Sequence, residues 1–373
     1  MFRIAWKNIL HDRVRMAAAL LGIVFAVVLV TFQIGLLASF LKNACAIVEN
    51  SKAPIWITAP SVANFEFAGL LRESLYYQAQ AVPGVGRVER LVMTFVRFRR
   101  PNGSFEGAQM IGVDLENGTD LPWSFAAGSR EDLRDPEGIT FDSTDYEKLG
   151  KPRIGEYVEL NDKRARIVAA THNARSFIAS PFCFTSLESA YRYSDRIPDG
   201  STSYLLVTPA AGWNPAHVVQ NLKRLTGVDV LTAAELSSRS QRYWIFSTGA
   251  GFAIGLSTLL GLVVGTVIVG QTIYSSTVDR LKEFGTLKAI GAGNRHLYLV
   301  ISYQALLYAA VGYVLGIIAS LAVADGAAKA GTNILITPEL LVGMFFLTAI
   351  MCIAASFLSI VRVTQLEPAM VFK

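Results

Sequence analysis

The chain has 373 residues, of which 52% are hydrophobic and only 17% are charged, and its formal net charge is +5. Soluble globular domains usually carry about 25% charged residues. The charges are also absent from four long windows: Met16–Leu41, Tyr243–Val278, His296–Ala324 and Leu340–Val361. Because about 20 apolar residues cross the hydrocarbon core of a bilayer, each window predicts a transmembrane helix. An ordinary soluble enzyme is excluded.

The distribution of charge predicts which side of the membrane each connecting segment occupies. Residues 1–15, 279–295 and 362–373 together carry ten basic and four acidic side chains, whereas residues 42–242 are balanced. Short segments rich in Lys and Arg stay cytoplasmic. We therefore expect both termini and the 279–295 loop inside, and residues 42–242 and 325–339 outside. A basic arm beside a span needs no nucleic-acid partner, and we expect none.

Residues 42–242 predict an α+β domain. Runs of β-branched and aromatic residues bounded by turn signals predict strands, at Ile55–Thr58, Arg87–Arg99, Gln109–Asp114, Tyr157–Leu160, Arg166–Ala170 and Tyr204–Thr208. Apolar residues at three- and four-residue spacing predict helices over Leu70–Ala81 and Ala216–Leu225. Residues 121–198, richer in Gly, Pro, Asp and Arg, indicate a lobe inserted into a membrane-proximal lobe. The fold class is an α-helical membrane protein with four transmembrane helices and a large α+β domain between the first and second helices.

This domain shows no sequence pattern of a catalytic or metal site. Its histidines are scattered and lack the spacing of zinc ligands, and there is no Gly-x-Ser-x-Gly motif. We assign no catalytic residue and no metal ligand. Cys45 and Cys183 are both expected outside, where an oxidising compartment permits a disulfide. Their positions alone leave the pairing open.

The second window is longer than a bilayer requires. A continuous helix over residues 243–278 would extend about 54 Å at 1.5 Å per residue, against a hydrocarbon core of about 30 Å. We expect it to project outward as a stalk; its glycines also allow a tilted or kinked helix. Glycines four residues apart permit close helix approach in lipid. The candidates for packing within the chain or for a dimer contact are Gly251, Gly255, Gly261 and Gly265.

The loop after this window carries the strongest pattern. Leu281, Phe284 and Leu287 recur at three-residue spacing among charged side chains, which predicts a short amphipathic helix over part of 279–295. Gly291 begins a Gly-Ala-Gly-Asn run that ends this helix. A helix held between two spans suits docking to another protein. A surface helix that touches lipid headgroups has the same composition, so both alternatives stay open on composition alone.

Residues 279–292, DRLKEFGTLKAIGA, resemble the cytoplasmic loop of the MacB/FtsX-type ABC transporter permeases, also called type VII. In that family a charged pair precedes Glu-(Ile/Phe)-Gly, and a Lys or Arg precedes Ala-(Ile/Leu)-Gly-Ala. The first residues, 1–15 and onward to Ile23, resemble the family's amphipathic N-terminal helix, and Leu366–Phe372 is similar to its closing pattern. The likeness covers both ends and the membrane region, and the layout is closest to the separate-permease DevC-like form.

The resemblance implies that the loop docks a separate ABC ATPase subunit. The residues implied in this ATPase coupling are Arg280, Glu283, Phe284, Gly285, Leu287, Lys288 and Gly291. The sequence lacks the Gly-x-x-x-x-Gly-Lys-(Ser/Thr) phosphate loop. We therefore expect that the chain is not an enzyme and binds no cofactor, and that the partner binds ATP and Mg.

The resemblance further implies a homodimer in the bacterial inner membrane that converts ATP hydrolysis into movement of the periplasmic domain. A periplasmic membrane fusion protein and an outer-membrane channel would complete an efflux system. A regulatory subunit that controls a periplasmic hydrolase or sensor, and a lipoprotein-extraction permease, are the alternatives. No ionised side chain is placed in the middle of the membrane, which disfavours an ion-driven mechanism. The sequence does not identify the substrate among glycolipid, peptide, lipoprotein and drug.

Overall fold

The computed structural model of the chain describes residues 13–174, 181–279, 293–329 and 334–364, together with Thr286 and Thr332. The helices described are α1 (Arg13–Ala44), α2 (Ala46–Asn50), α3 (Glu73–Gln80), α4 (Leu187–Tyr193), α5 (Pro215–Leu222), α6 (Ala233–Phe246), α7 (Ala250–Asp279), α8 (Asn294–Lys329) and α9 (Pro338–Thr364). The strands described are β1 (Ile55–Thr58), β2 (Val85–Arg99), β3 (Phe105–Val113), β4 (Phe125–Ala127), β5 (Gly138–Asp142), β6 (Tyr157–Leu160), β7 (Lys163–Thr171), β8 (Phe182–Ser186), β9 (Tyr204–Pro209) and β10 (Asp229–Thr232).

Four of the described helices are long and apolar enough to cross a membrane. The candidate spans are Met16–Ala44 in α1, Ala250–Asp279 in α7, Tyr298–Lys329 in α8 and Pro338–Ser356 in α9. The large α+β domain lies between the first and second of them, so the predicted fold class is confirmed. The chain divides into two compact units, a membrane unit (Met1–Ser39 with Ala250–Lys373) and an outer domain (Phe40–Gly249).

The predicted continuous helix over residues 243–278 is wrong. Helix α6 ends at Phe246, helix α7 begins at Ala250, and Gly249 between them has a φ of +75°. A left-handed backbone position interrupts a right-handed helix, and glycine adopts it without a steric penalty. The absence of charge in this window therefore shows that the segment is apolar, but it does not show that the helix is continuous.

The first part of the outer domain is an antiparallel sheet with the strand order β10-β1-β9-β2. Alternate residues of β1 point to opposite faces. Ile55 and Ile57 join a core with helices α3 and α5, while Trp56 joins a core with helices α2 and α6. Both faces of these central strands are covered, so all four residues of β1 are buried.

Strand β2 connects this sheet to the second part of the domain. Its first half, up to Leu91, pairs with β9, and its second half pairs with β3 as far as Arg99. Strands β3 to β8 and helix α4 then enclose a separate core that includes Val96, Phe98 and Ile167. A single 15-residue strand therefore contributes to the cores of both lobes.

Most predicted strands are present, with β1 and β6 at the predicted bounds. Strands β5 and β8, which the sequence did not indicate, are short and almost wholly buried. Strands buried on both faces lack the alternation of polar and apolar residues by which a strand is recognised. Helix α6 was also missed, although Thr232 and Glu235 form a capping box at its start. The exposed face of this helix is polar, so the spacing of its apolar residues did not indicate a helix.

Candidate functional site

The predicted ATPase-coupling residues belong to the segment between α7 and α8. Helix α7 ends at Asp279 and helix α8 begins at Asn294. The seven residues assigned to coupling lie outside the described part of the chain: Arg280, Glu283, Phe284, Gly285, Leu287, Lys288 and Gly291. The structure therefore defines the two helix ends that hold the segment, and the amphipathic helix itself stays a prediction.

Contacts between α1 and α7 show which end of the membrane unit holds this segment. A Cβ added to Gly22 would lie 2.5 Å from Ile268, one on Gly265 would lie 2.6 Å from Ala26, and one on Gly261 would lie 2.6 Å from Leu29. As the residue number rises along α1 it falls along α7, so the two helices are antiparallel. The end of α7 at Asp279 is consequently beside the beginning of α1.

Helices α8 and α9 complete the arrangement. A Cβ on Gly312 would lie 2.5 Å from Ile23, and one on Gly316 would lie 2.7 Å from Val27, so α8 runs parallel to α1. At the opposite end of α1, the backbone N–H of Leu335 donates to the carbonyl oxygen of Gly35 at 3.1 Å. The end of α7 at Asp279 and the start of α8 at Asn294 therefore lie at one end of the membrane unit, and Leu335, shortly before α9, lies at the other.

The predicted packing glycines fall into two groups. Gly261 and Gly265 are buried against α1, with Met351 of α9 also beside Gly265. An added Cβ on Gly255 would meet no atom within 4 Å, and Gly251 is half-buried. The first pair packs helices within one chain, while no atom of the described residues lies close to Gly255.

Sequence reasoning missed Gly22, which contacts Ile268 from the side of α1. The other glycine of its window is Gly35, so no second glycine lies four residues away. A single glycine inside an apolar helix is itself a signal of close helix approach, but it does not identify the helix that approaches.

The outer domain does not present an obvious centre for chemistry. Among the described residues, no group of three or more His, Cys, Asp and Glu side chains is placed to hold a metal ion. Ser143 Oγ lies 2.9 Å from His172 Nδ1, and both residues are on the surface. The buried carboxylate of Glu89 lies 2.7 Å from the guanidinium of Arg87. Burial raises the pKa of Glu89, which the charge of Arg87 partly offsets.

A surface cleft in the second lobe is lined mainly by charged side chains. Its lining residues are Arg99, Arg100, Pro101, Glu156, Tyr157, Val158, Glu159, Asp162 and Arg164. Arg99 pairs with Glu159 at 2.9 Å, and Arg164 pairs with Glu137 at 3.1 Å. Because these cations are matched by carboxylates of the same chain, the cleft offers little net charge to a ligand.

The cysteines of the outer domain are free thiols. Cys45 Sγ donates to the carbonyl oxygen of Ser237 at 3.5 Å, and Cys183 is buried in the core of the second lobe. Burial raises the pKa of Cys45 to about 11 and that of Cys183 to about 12. The possible disulfide between them is not formed.

Known proteins with similar sequences are ABC transporter permeases. An uncharacterized ABC transporter permease of Mycobacterium tuberculosis is 23% identical over 184 residues, which are 49% of this chain and 47% of that protein. A second, from Methanocaldococcus jannaschii, is 22% identical over 230 residues, which are 58% of this chain and 56% of that protein. The matched region spans about half the length of these relatives.

Two solved structures are similar to the outer domain. The periplasmic region of MacB from Actinobacillus actinomycetemcomitans matches 52% of this chain and 94% of that structure, at 11% identity and a TM-score of 0.40. The extracellular domain of the noncanonic ABC-type transporter YknZ from Gram-positive bacteria matches 48% of this chain and 98% of that structure, at 12% identity and a TM-score of 0.37.

Two family models match consecutive parts of the chain. The MacB-like periplasmic core domain matches residues 16–225, and the FtsX-like permease C-terminal region matches residues 255–368. The first match alone covers more than half of the 373 residues. The second includes Asp279 and Asn294, the two helix ends on either side of the 279–295 loop. The chain therefore belongs to the MacB/FtsX-type permeases of ABC transporters, and it is a multi-pass membrane subunit of that family.

Proposed function

We propose that this permease converts ATP hydrolysis by a separate ATPase subunit into movement of the outer domain, which drives efflux. The observation that carries this proposal is the position of the two helix ends on either side of the 279–295 loop, Asp279 of α7 and Asn294 of α8. Both lie at the end of the membrane unit opposite to the Gly35–Leu335 contact. A displacement of this loop acts directly on α7 and α8, which both pack closely along α1.

Close packing explains how a displacement is transmitted. Helices α7 and α8 contact α1 through glycines, so their backbones approach without flexible side chains between them. Densely packed interiors have low compressibility and pass strain on. Helix α1 continues unbroken from Arg13 to Ala44, and its last residues, from Phe40, belong to the outer domain. We therefore assign α1 as the element that carries movement to that domain.

The proposed contact with the ATPase combines an apolar centre with flanking charges. Phe284 and Leu287 supply the apolar side, and Arg280, Glu283 and Lys288 supply charges that fix orientation. Gly285 and Gly291 keep the backbone open to close approach. The ATPase would bind ATP and Mg, and this chain would need no cofactor.

The proposed assembly is a homodimer in the bacterial inner membrane with both termini cytoplasmic. The basic bias of the arm, the 279–295 loop and the tail supports this orientation. An exposed Gly255, with no atom within 4 Å of an added Cβ, leaves room for a helix of a second copy. A membrane fusion protein and an outer-membrane channel are the proposed periplasmic partners for efflux.

Co-purification from membranes tests the coupling role. The tagged full chain is co-expressed with its genomic neighbours, and the bound proteins are identified by mass spectrometry. We expect an ABC ATPase with the wild type, and its loss in Phe284→Asp and in Glu283→Lys. Arg153→Glu, an exposed charge reversal in the outer domain, serves as the matched control and should retain the ATPase.

Retention of the ATPase by both loop variants would contradict the coupling role. The same experiment distinguishes efflux from the two alternative functions, regulation and lipoprotein extraction. A membrane fusion protein among the bound proteins supports efflux. A periplasmic hydrolase or a sensor in its place supports a regulatory subunit, and a bound lipoprotein supports extraction.

A further inference from the structure

Four aromatic side chains of the outer domain form a cluster, here called the aromatic foot: Phe40, Phe67, Tyr243 and Trp244. The rings of Phe40 and Trp244 meet edge to face with centroids 5.3 Å apart. Phe67 lies 6.1 Å from Tyr243 and 6.3 Å from Trp244. These are the distances and angles of favourable aromatic pairs, so the four rings form one contiguous unit.

Three members of the aromatic foot are close in sequence to the two candidate spans that border the outer domain. Phe40 is in the last turns of the candidate span Met16–Ala44 and stands two residues before Lys42, the first charge after the apolar window. Tyr243 and Trp244 are in the last turn of α6, shortly before the span that begins at Ala250. The headgroup region adds about 5–8 Å on each side of the hydrocarbon core. From their distance in sequence to the ends of these candidate spans, we expect Phe40 and Trp244 at the level of the headgroups.

Phe67 is the informative member, because it is remote in sequence from both spans. Its loop is fixed from both sides. The N–H of Phe65 donates to Ser240 Oγ at 2.9 Å, and the Tyr204 hydroxyl donates to the Phe65 carbonyl oxygen at 2.7 Å. Asn64 Oδ1 accepts from the N–H of Phe67 at 3.1 Å.

The fixed loop presents the Phe67 ring outward. Its side chain is 54% exposed although it is among the most apolar in the domain. Phe246, at the end of α6, is 78% exposed. Exposed apolar area costs about 25 cal/mol per Å² in water, and a loop with these hydrogen bonds cannot fold back to hide the ring. Covering these two rings with an apolar partner would therefore be favourable.

We propose that Phe67 and Phe246, supported by Tyr243 and Trp244, insert into the headgroup region of the adjoining leaflet, so that the lipid surface is the partner of the aromatic foot. Continuity with a span favours lipid over a protein partner, because Phe67 packs on Trp244 and Trp244 packs on Phe40, which is part of the candidate span Met16–Ala44. Aromatic side chains are favoured at that level of a bilayer. The contact is independent of the ATPase, and it anchors the base of the outer domain.

Nitroxide accessibility in the full-length protein tests this proposal. Phe67→Cys and Phe246→Cys are labelled and reconstituted alone in vesicles of phosphatidylethanolamine and phosphatidylglycerol at a low protein-to-lipid ratio. Phe105→Cys is the matched control, since Phe105 is 51% exposed and packs beside Arg97 in the second lobe. The native thiols are buried, so the label is directed to the introduced cysteine.

We expect collisions with oxygen to exceed those with a water-soluble nickel complex at positions 67 and 246, and the reverse at position 105. The nickel collision rate should be several-fold lower at 67 than at 105. Equal nickel accessibility at 67 and 105 overturns the proposal. Low accessibility of position 67 to both reagents also overturns it, because the ring would then be covered by a second copy.

Discussion

Individual glycines determine how closely the membrane helices approach. Gly265 is buried against Ala26 and Met351, whereas Gly255 on the same helix α7 has free space around it. We predict that Gly265→Ala lowers the stability of the full chain by about 1–3 kcal/mol, the usual cost of an added methyl group in a packed core. Gly255→Ala should leave it unchanged. Thermal unfolding of both variants in detergent provides the measurement, and equal melting temperatures would contradict the packing described.

The four-residue spacing of Gly261 and Gly265 could be read from the sequence, but their partners could not. A small residue permits close approach without specifying the approaching helix, and the spacing fits a contact within the chain as well as one between copies. Gly22 has no second glycine four residues away, so it carried no spacing signal. Its contact with Ile268 joins residues that are far apart in the chain. Long-range partners of this kind follow from the folded arrangement.

The thiols of the outer domain should be unreactive in the folded protein. Burial raises the pKa of Cys183 to about 12 and that of Cys45 to about 11. The thiolate is the reactive form. At pH 8, a thiol with the pKa of Cys183 is deprotonated in only about one molecule in 10⁴. We predict negligible modification by iodoacetamide at pH 8 without denaturant, measured by intact mass. Rapid modification of Cys183 in the folded chain would contradict its burial.

At the scale of elements, the start of α6 is stabilised by reciprocal capping. The N–H of Glu235 donates to Thr232 Oγ1 at 3.2 Å, and the N–H of Thr232 donates to the Glu235 carboxylate at 2.7 Å. Thr232→Ala should destabilise the full chain by about 1 kcal/mol. Chemical unfolding followed by tryptophan fluorescence measures the loss, and Thr232→Ser, which keeps the hydroxyl, is the control. Equal stability of the Ala and Ser variants would contradict a capping role.

The same cap predicts a dependence on pH. The backbone hydrogen bond from Thr232 lowers the pKa of Glu235 from its ordinary value of 4.5. A lowered pKa in the folded state contributes stability above pH 4.5, and this contribution is lost as the pH falls through the lower value. Glu235→Gln should therefore be less stable than the wild type at pH 7 and equal to it in strong acid. Because Glu235 is exposed, the difference should be small. A difference that persists in acid would contradict this origin.

Sequence patterns predicted elements better than they predicted connections. Strands β1 and β6 were recognisable from their β-branched and aromatic residues, but β5 and β8 are almost wholly buried and show no alternation. The pairing of β2 with β9 joins residues more than 100 positions apart, which no local pattern encodes. The break at Gly249 was hidden inside an apolar window, since hydropathy does not report φ.

In the assembled transporter that we propose, a separate subunit and not this chain hydrolyses ATP. We predict that the purified chain alone hydrolyses no ATP, and that activity appears when the co-purifying ATPase is added. A phosphate-release assay measures hydrolysis by the chain alone and after the ATPase is added. The control is Phe284→Asp reconstituted in lipid, which should not couple to the added ATPase. Hydrolysis by the purified chain alone would contradict the assignment as a membrane subunit.

The central claim is that residues 280–293 and the outer domain lie on opposite faces of the membrane, which transmission across the bilayer requires. Labelling of single introduced cysteines with a membrane-impermeant maleimide tests this claim most directly. Lys151→Cys, in the outer domain, should be labelled in spheroplasts and protected in inverted vesicles. Lys288→Cys should show the reverse. Labelling of both positions from the same face would contradict the account.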